Sequence, residues 1–372
     1  MTELIARPVG DESSEGERGT SARSVEALPL RGKVLRTRGF SVRLDVRSTV
    51  VCLVLTVFII AIGLWSISVG DFPIPIGDVV ATIFGNPTED SEFIVGTLRL
   101  PRAIVAVGVG AAFGMSGAIF QSLVRNPLGS PDIIGFNSGA ALGAVSMIVV
   151  FEGTATQVSI GAVAGGVLAA LAVYFLAYKR GVQAYRLVLV GIGAGFAVDA
   201  VIDYMITRAE INDVQRAAVW LTGSLNGRSW DEVRIVGFAL LVLGPLAVIM
   251  QRRLDRLDLG DDKAATLGIN VGVSKLALVI VGVCLAALGV AAAGPVAFVA
   301  FVSGPIARRL ANSPSACIVP AAFVGALVTV VADLAARRVL APTELPVGIM
   351  TAAIGAPYLL WLLTRQARTG AL

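Results

Sequence analysis

Apolar and polar residues fall along this chain in long blocks rather than in a short alternating period. Residues 1–47 are polar, and apolar runs then cover residues 49–70, 100–124, 133–152, 157–178, 187–206, 233–250, 274–293, 296–307, 318–336 and 346–364. A helix needs roughly 20 apolar residues to cross about 30 Å of hydrocarbon, and every run but the eighth approaches that length. The eighth is short and is bounded and interrupted by Pro295 and Pro305. Continuous runs of this kind predict helices, because the strands of a membrane barrel would alternate with period two. The pattern therefore predicts an all-α, polytopic membrane protein with about ten transmembrane helices. Residues 48–372 form the transmembrane domain, and residues 1–47 read as a disordered basic extension.

Composition strengthens this reading. Of 372 residues, 56% are hydrophobic and only 15% charged, which excludes a soluble globular class. The net charge of +4 is explained by topology rather than by nucleic acid. With the N-terminus in the cytoplasm, 22 of the 30 basic residues fall in cytoplasmic segments, while the first outer loop is acidic (Asp71, Asp78, Glu89, Asp90, Glu92). Ten spans then put the C-terminus in the cytoplasm as well.

The absence of histidine removes His-based acid–base work, His metal sites and a Ser–His nucleophile pair. No Walker A sequence occurs, so energy from ATP must arrive through a partner. Cys52, Cys284 and Cys317 are too scattered for a metal cluster or disulfide framework and read as small packing residues. The chain is predicted to be no enzyme and to bind no metal or cofactor of its own.

Four local features stand out. Arg99-Leu100-Pro101-Arg102 opens a Gly/Ala-rich run that ends in the polar break Arg125-Asn126-Pro127-Leu128-Gly129-Ser130-Pro131-Asp132. Small residues let helix backbones approach closely in lipid, and the paired prolines force a tight re-entry. Residues 252–270 make two helical turns joined by Gly260 and stopped by Gly268, with Leu257, Leu259, Ala264, Ala265 and Leu267 as an apolar tip. A loop lying on the membrane surface is the other reading of that segment.

Arg99, Arg102, Arg337 and Arg338 sit at the outer face against the positive-inside trend. Asp199 and Asp203, four apart on one helical face, are expected to look into a polar cavity rather than lipid. An interfacial pair of Asp203 with Arg208 is the alternative.

The Leu-Pro-Arg opening and the proline break resemble the membrane-spanning permease subunits of ABC importers for ferric siderophores, haem and cobalamin, the type II importers. The resemblance continues through 252–270, Ala293–Val299, Gly304–Arg309, Pro320–Asp333 and Glu344–Pro357. One departure is Gly304-Pro305, where the family commonly has Pro-His, and this weakens cobalamin as the cargo. The resemblance implies a bacterial cytoplasmic-membrane subunit that moves a ferric siderophore inward by ATP-driven alternating access.

It further implies a second permease chain, related or identical, two ATP-binding subunits that use ATP and Mg, and an extracytoplasmic substrate-binding protein. Residues 257–268 would seat in the ATPase, while Arg99, Arg102 and Arg337 would hold carboxylates of the binding protein in bidentate pairs. Asp199, Asp203, Trp220, Ser224 and Asn226 would border the pathway, an acidic lining that suits neutral or cationic hydroxamates better than polyanionic catecholates. Two other readings remain open. One is an ion-coupled secondary transporter using Asp199, Asp203 and Asp333, and the other a cobalamin or haem permease.

Overall fold

The computed structural model describes residues 33–37, 40–127, 129–179 and 184–368. It divides into units at 1–46 and 47–372. In the first unit, β1 (Lys33–Thr37) and β2 (Phe40–Leu44) pair antiparallel, with Lys33 opposite Leu44 and Thr37 opposite Phe40. The hairpin departs from the disorder expected of this basic stretch, where Val34, Phe40 and Val42 supply strand-favouring residues between the charges. Residues 1–32 of the extension lie outside the described residues.

The second unit opens with α1 (Val46–Ser68), α2 (Ile76–Ile83) and α3 (Glu89–Ser91). A π-helical stretch, Glu92–Arg99, leads into α4 (Leu100–Val124). Then come α5 (Phe136–Val149), α6 (Ala155–Ala177), α7 (Ala184–Arg208), α8 (Ile211–Thr222) and α9 (Trp230–Leu257). The order closes with α10 (Asp261–Thr266), α11 (Val271–Ala293), α12 (Val299–Ala311), α13 (Ile318–Arg338) and α14 (Val347–Arg368).

Among the described residues, eight helices are long and apolar enough to cross a membrane: α1, α4 with its π-helical lead, α6, α7, α9, α11, α13 and α14. The two remaining apolar runs form α5, of 14 residues, and α12, of 13. At 1.5 Å per residue each reaches only about 20 Å, too short to span alone.

The short α12 follows from its prolines. The short α5 was not expected, since run 133–152 is mostly apolar and long enough to span. There a left-handed Gly135 (φ 71°) splits off a 3₁₀ turn, Pro131–Ile134, and a left-handed Glu152 (φ 48°) follows its end. Both short helices are the second members of four-helix blocks, α4–α7 and α11–α14. Both also start from a left-handed residue, Gly135 or Phe298 (φ 66°). α11 runs antiparallel to α4, Gly282 meeting Phe120 and Gly289 meeting Phe113, so the two blocks start in opposite directions, the arrangement of an inverted repeat.

α4 is the central helix, packed against α9, α11, α12 and α13, and most of its length is buried. Glycine explains how it is surrounded so closely. A Cβ on Gly325 of α13 would overlap the Gly110 carbonyl oxygen of α4, and a Cβ on Gly114 would overlap that of Ala321. On the α11 side, Gly282 and Gly289 form seats for the rings of Phe120 and Phe113, and added Cβ atoms would lie 2.8 and 2.6 Å from ring carbons. The α5–α6 crossing repeats the device with Gly139 against Gly165 and Gly143 against Gly161. Lipid tails are as apolar as leucine, so the attraction here is close packing rather than burial from water.

Overpacking at such a contact costs about 1–3 kcal/mol. Gly325→Val is therefore expected to lower the melting temperature in detergent. Gly63→Val in α1, where a Cβ meets nothing within 4 Å, is expected to leave it unchanged.

Candidate functional site

The described residues offer three places where polar chemistry gathers: the two ends of the bundle and one exposed helix face. At one end, α4 and α13 present Arg102, Asp333 and Arg337. The Arg102 Nε and Nη2 lie 3.0 and 2.9 Å from Asp333 Oδ1, and its Nη1 lies 3.0 Å from Glu344 Oε2. Arg337 Nε lies 3.3 Å from Asp333 Oδ2, one helical turn away. The Asp333 side chain is only 4% exposed, so one buried carboxylate serves two guanidiniums.

Arg337 also donates to the Ser66 hydroxyl and to its carbonyl oxygen at 3.3 Å. Arg99 donates to the carbonyls of Ile67 (2.7 Å) and Phe72 (2.8 Å). Both arginines thus cap the end of α1, whose last turn has no basic residue of its own and whose free carbonyls favour a cation. All three arginines expected to face a partner are engaged within the chain. Arg338 is exposed beside them, and the Glu344 side chain is 42% exposed. Glu344 had no signal in the sequence beyond its charge.

At the opposite end, α9 runs continuously to Leu257, and Gly260 (φ 111°) turns the chain into α10 before Gly268 (φ 78°) ends it. Leu257 and Ala264 are buried and hold the turn, whereas Ala265, Leu259 (57%) and Leu267 (54%) are exposed. The turn is tethered on several sides. Arg125 at the end of α4 donates to the Leu257 carbonyl at 2.7 Å and to Asp261 Oδ1 at 3.0 Å. Lys275 of α11 reaches Asp261 Oδ2 at 2.6 Å, and Asp255 accepts the Ser315 hydroxyl at 2.8 Å.

Asp258 ends α9, where a negative charge is unfavourable. Burial and the neighbouring Asp255 push its carboxyl up to about 6, with Arg125 and Arg308 pulling the other way.

The expected pathway residues divide. Asp199 and Asp203 lie on an exposed face of α7 that continues from Tyr185, Leu189, Ile192 and Phe196. Among the described residues no ion pair joins Asp203 to Arg208, whose guanidinium instead lies 5.7 Å over the Tyr204 ring. Trp220, Ser224 and Asn226 belong to a separate segment docked between the end of α11 and the start of α14. There Ser224 N–H donates to the Ala293 carbonyl at 2.8 Å, Gly348 N–H donates to that of Gly223 at 3.3 Å, and Asn226 is exposed. Arg228, not singled out in the sequence, donates to the Ser224 carbonyl at 3.2 Å and lies 3.8 Å from Glu232. Burial pushes its guanidinium below its usual value, against the pull of Glu232.

Two expectations follow. Asp333→Ala takes away the carboxylate that Arg102 and Arg337 share, leaving Arg102 with Glu344 and Arg337 with Ser66. Loss of one partner from a buried pair costs about 3–5 kcal/mol, so the purified protein is expected to unfold at clearly lower temperature. Asp258→Asn is expected to stabilise. The raised carboxyl makes ionisation a cost of the folded state, fully present above about 6 and fading as pH falls toward the ordinary 3.8. Melting curves should therefore show the variant's gain at neutral pH and its loss in acid.

The family model of the FecCD transport family matches residues 56–365. A ferric enterobactin transport system permease protein of Escherichia coli (strain K12) is 36% identical over 322 residues, covering 87% of this chain and 98% of that protein. An Fe(3+)-citrate import system permease protein of Bacillus subtilis (strain 168) is 39% identical over 293 residues, covering 78% and 88%. A solved chain in an inward-facing conformation, described as of the metal-chelate type of ABC transporter, superposes with a TM-score of 0.76 at 23% identity over 85% of this chain and 99% of that one. With the match running from α1 to α14, this chain belongs to the FecCD transport family.

Proposed function

We propose that this chain is the membrane-spanning subunit of an ABC importer that carries an iron(III) chelate of the ferric-siderophore class into the cytoplasm. The observation that carries the reading is the α9–α10 turn. It offers exposed Leu259 and Leu267 on a base fixed to α4, α11 and the α12–α13 turn. An apolar tip on a rigid base suits insertion into a groove of an ATP-hydrolysing partner, since a floppy tip would absorb the partner's motion. The cargo class is supported by the relatives, whose names specify ferric enterobactin, iron(III) citrate and iron(III) hydroxamate.

Both termini are cytoplasmic in this reading, and two ATP-binding subunits use ATP and Mg below the membrane. A second permease chain covers α7. Two carboxylates at Asp199 and Asp203 on an otherwise apolar exposed face are too costly to leave in lipid, so a partner chain and a wet pathway must meet them. A loaded binding protein docks on the outer end, where Arg338 and Glu344 form the accessible rim over Arg99, Arg102 and Arg337. Alternating access then moves the chelate between the two permease chains without chemical change.

The test is uptake of ⁵⁵Fe-labelled ferric citrate, a ferric hydroxamate and a ferric catecholate by cells with and without this chain. Loss of one chelate's ATP-dependent uptake is the expected outcome, and unchanged uptake of all three with the partners present would overturn it. Leu259→Asp with Leu267→Asp should leave folding intact, because both side chains are exposed, yet cut uptake and ATPase co-purification by about tenfold or more, equivalent to some 1.4 kcal/mol of lost contact.

A further inference from the structure

Gln121 is the one side-chain amide of α4, 2% exposed in a helix that beyond Arg102 is otherwise built of apolar and small residues. A buried amide is costly unless every polar atom finds a partner. Its partners all come from one face of α12. The Nε2 group donates to the Phe301 carbonyl at 2.8 Å, and Oε1 accepts from Arg308 Nη2 at 3.0 Å. In a regular helix the Phe301 carbonyl would accept from the N–H four residues on, but residue 305 is proline and has none. Gln121 supplies the missing donor. Gly304 makes room for it, since a Cβ there would overlap Gln121 Oε1. Phe301, Gly304, Pro305 and Arg308 thus form a receptor, at spacings of three, four and seven, for one side chain of the central helix.

The same end of α4 holds the α9–α10 turn. Arg125, one turn beyond Gln121, donates to the Leu257 carbonyl and to Asp261. Arg308, on the α12 side of the link, is favoured electrostatically by the Asp258 carboxylate of that turn. From these contacts we infer that Gln121 is a positioning residue that joins the α9–α10 turn to the proline break in α12, so that displacement of the turn moves α12. The Gln121–Arg308 bond carries that displacement across the α4–α12 contact, whether or not the Phe301 carbonyl is held by its own helix. The inference rests on the transport reading above, because only a driven turn has motion to transmit.

Pro305→Ala separates a structural role from a transmitting one, because it returns a backbone donor to the Phe301 carbonyl. The complex with its ATPase and binding protein, reconstituted in proteoliposomes, is assayed for ⁵⁵Fe uptake per ATP hydrolysed, using whichever of the three ferric chelates the wild type carries. Gln121→Leu with Pro305→Ala leaves no carbonyl stranded and is expected to keep the melting temperature of Pro305→Ala alone while moving about tenfold less iron per ATP, within the usual range of coupling energies. Gln121→Glu with Pro305→Ala keeps the acceptor for Arg308 and is expected to stay within about twofold of Pro305→Ala.

Arg308→Met, which cuts the same bond from the α12 side, serves if the leucine variant does not accumulate, and the same fall is expected. Equal coupling in the leucine or methionine variant and its parent overturns the inference and leaves the transport reading standing. A wild-type complex that carries none of the chelates overturns both.

Discussion

Helices in a membrane gain little from contact as such, because the lipid they leave is as apolar as the neighbour they meet. Everything else in this fold follows from how close two backbones can come. The approach of α4 to α13 at Gly110 and Gly325, and the seating of Phe113 and Phe120 on Gly289 and Gly282, bring the central helix close enough for dispersion to hold it. Once α4 is enclosed, irregular backbone becomes possible at membrane depth, since its free polar groups face protein and not lipid. The short α12, entered through left-handed Phe298 and packed on α4, depends on that enclosure.

Enclosure also fixes what the charges do. A carboxylate at 4% exposure is tolerable only because two arginines share it, and those arginines are then no longer simple surface charges. Arg99 and Arg337 close the end of α1, while Arg102 links α4 to α13 and to the loop that carries Glu344. Recruiting a docking partner at this end would therefore act on three helices at once. The opposite end shows the same economy. Arg125 and Lys275 both spend their charge on Asp261, which leaves the leucines of the turn as its free chemistry.

The two ends differ in how they connect to the core. The cluster around Asp333 is tied by ion pairs among helix ends, whereas the α9–α10 turn is tied through Arg125 to the end of α4, one helical turn beyond a buried amide that docks on a proline break. The first is a brace and the second a joint. Between them α7 keeps Asp199 and Asp203 on an open face.

By itself the sequence determined the class, the run of membrane helices and the extent of the α9–α10 turn, because each depends on a local property: apolar length, glycine position, or charge in a loop. It also marked Arg99, Arg102 and Arg337 as out of place. What it left undecided was where those charges go, since the partners of Arg102 lie 231 and 242 residues away in the chain. The shortness of α5 was hidden for a related reason. Backbone turns bound it, at left-handed Gly135 before its start and at left-handed Glu152 just past its end.

Gln121 is the clearest case. In the sequence it is one polar residue near the end of an apolar run, and Pro305 is one proline in another. Only tertiary packing decided that the first would supply the hydrogen bond the second removes, because a donor and an acceptor 180 residues apart are matched by helix crossing and not by spacing.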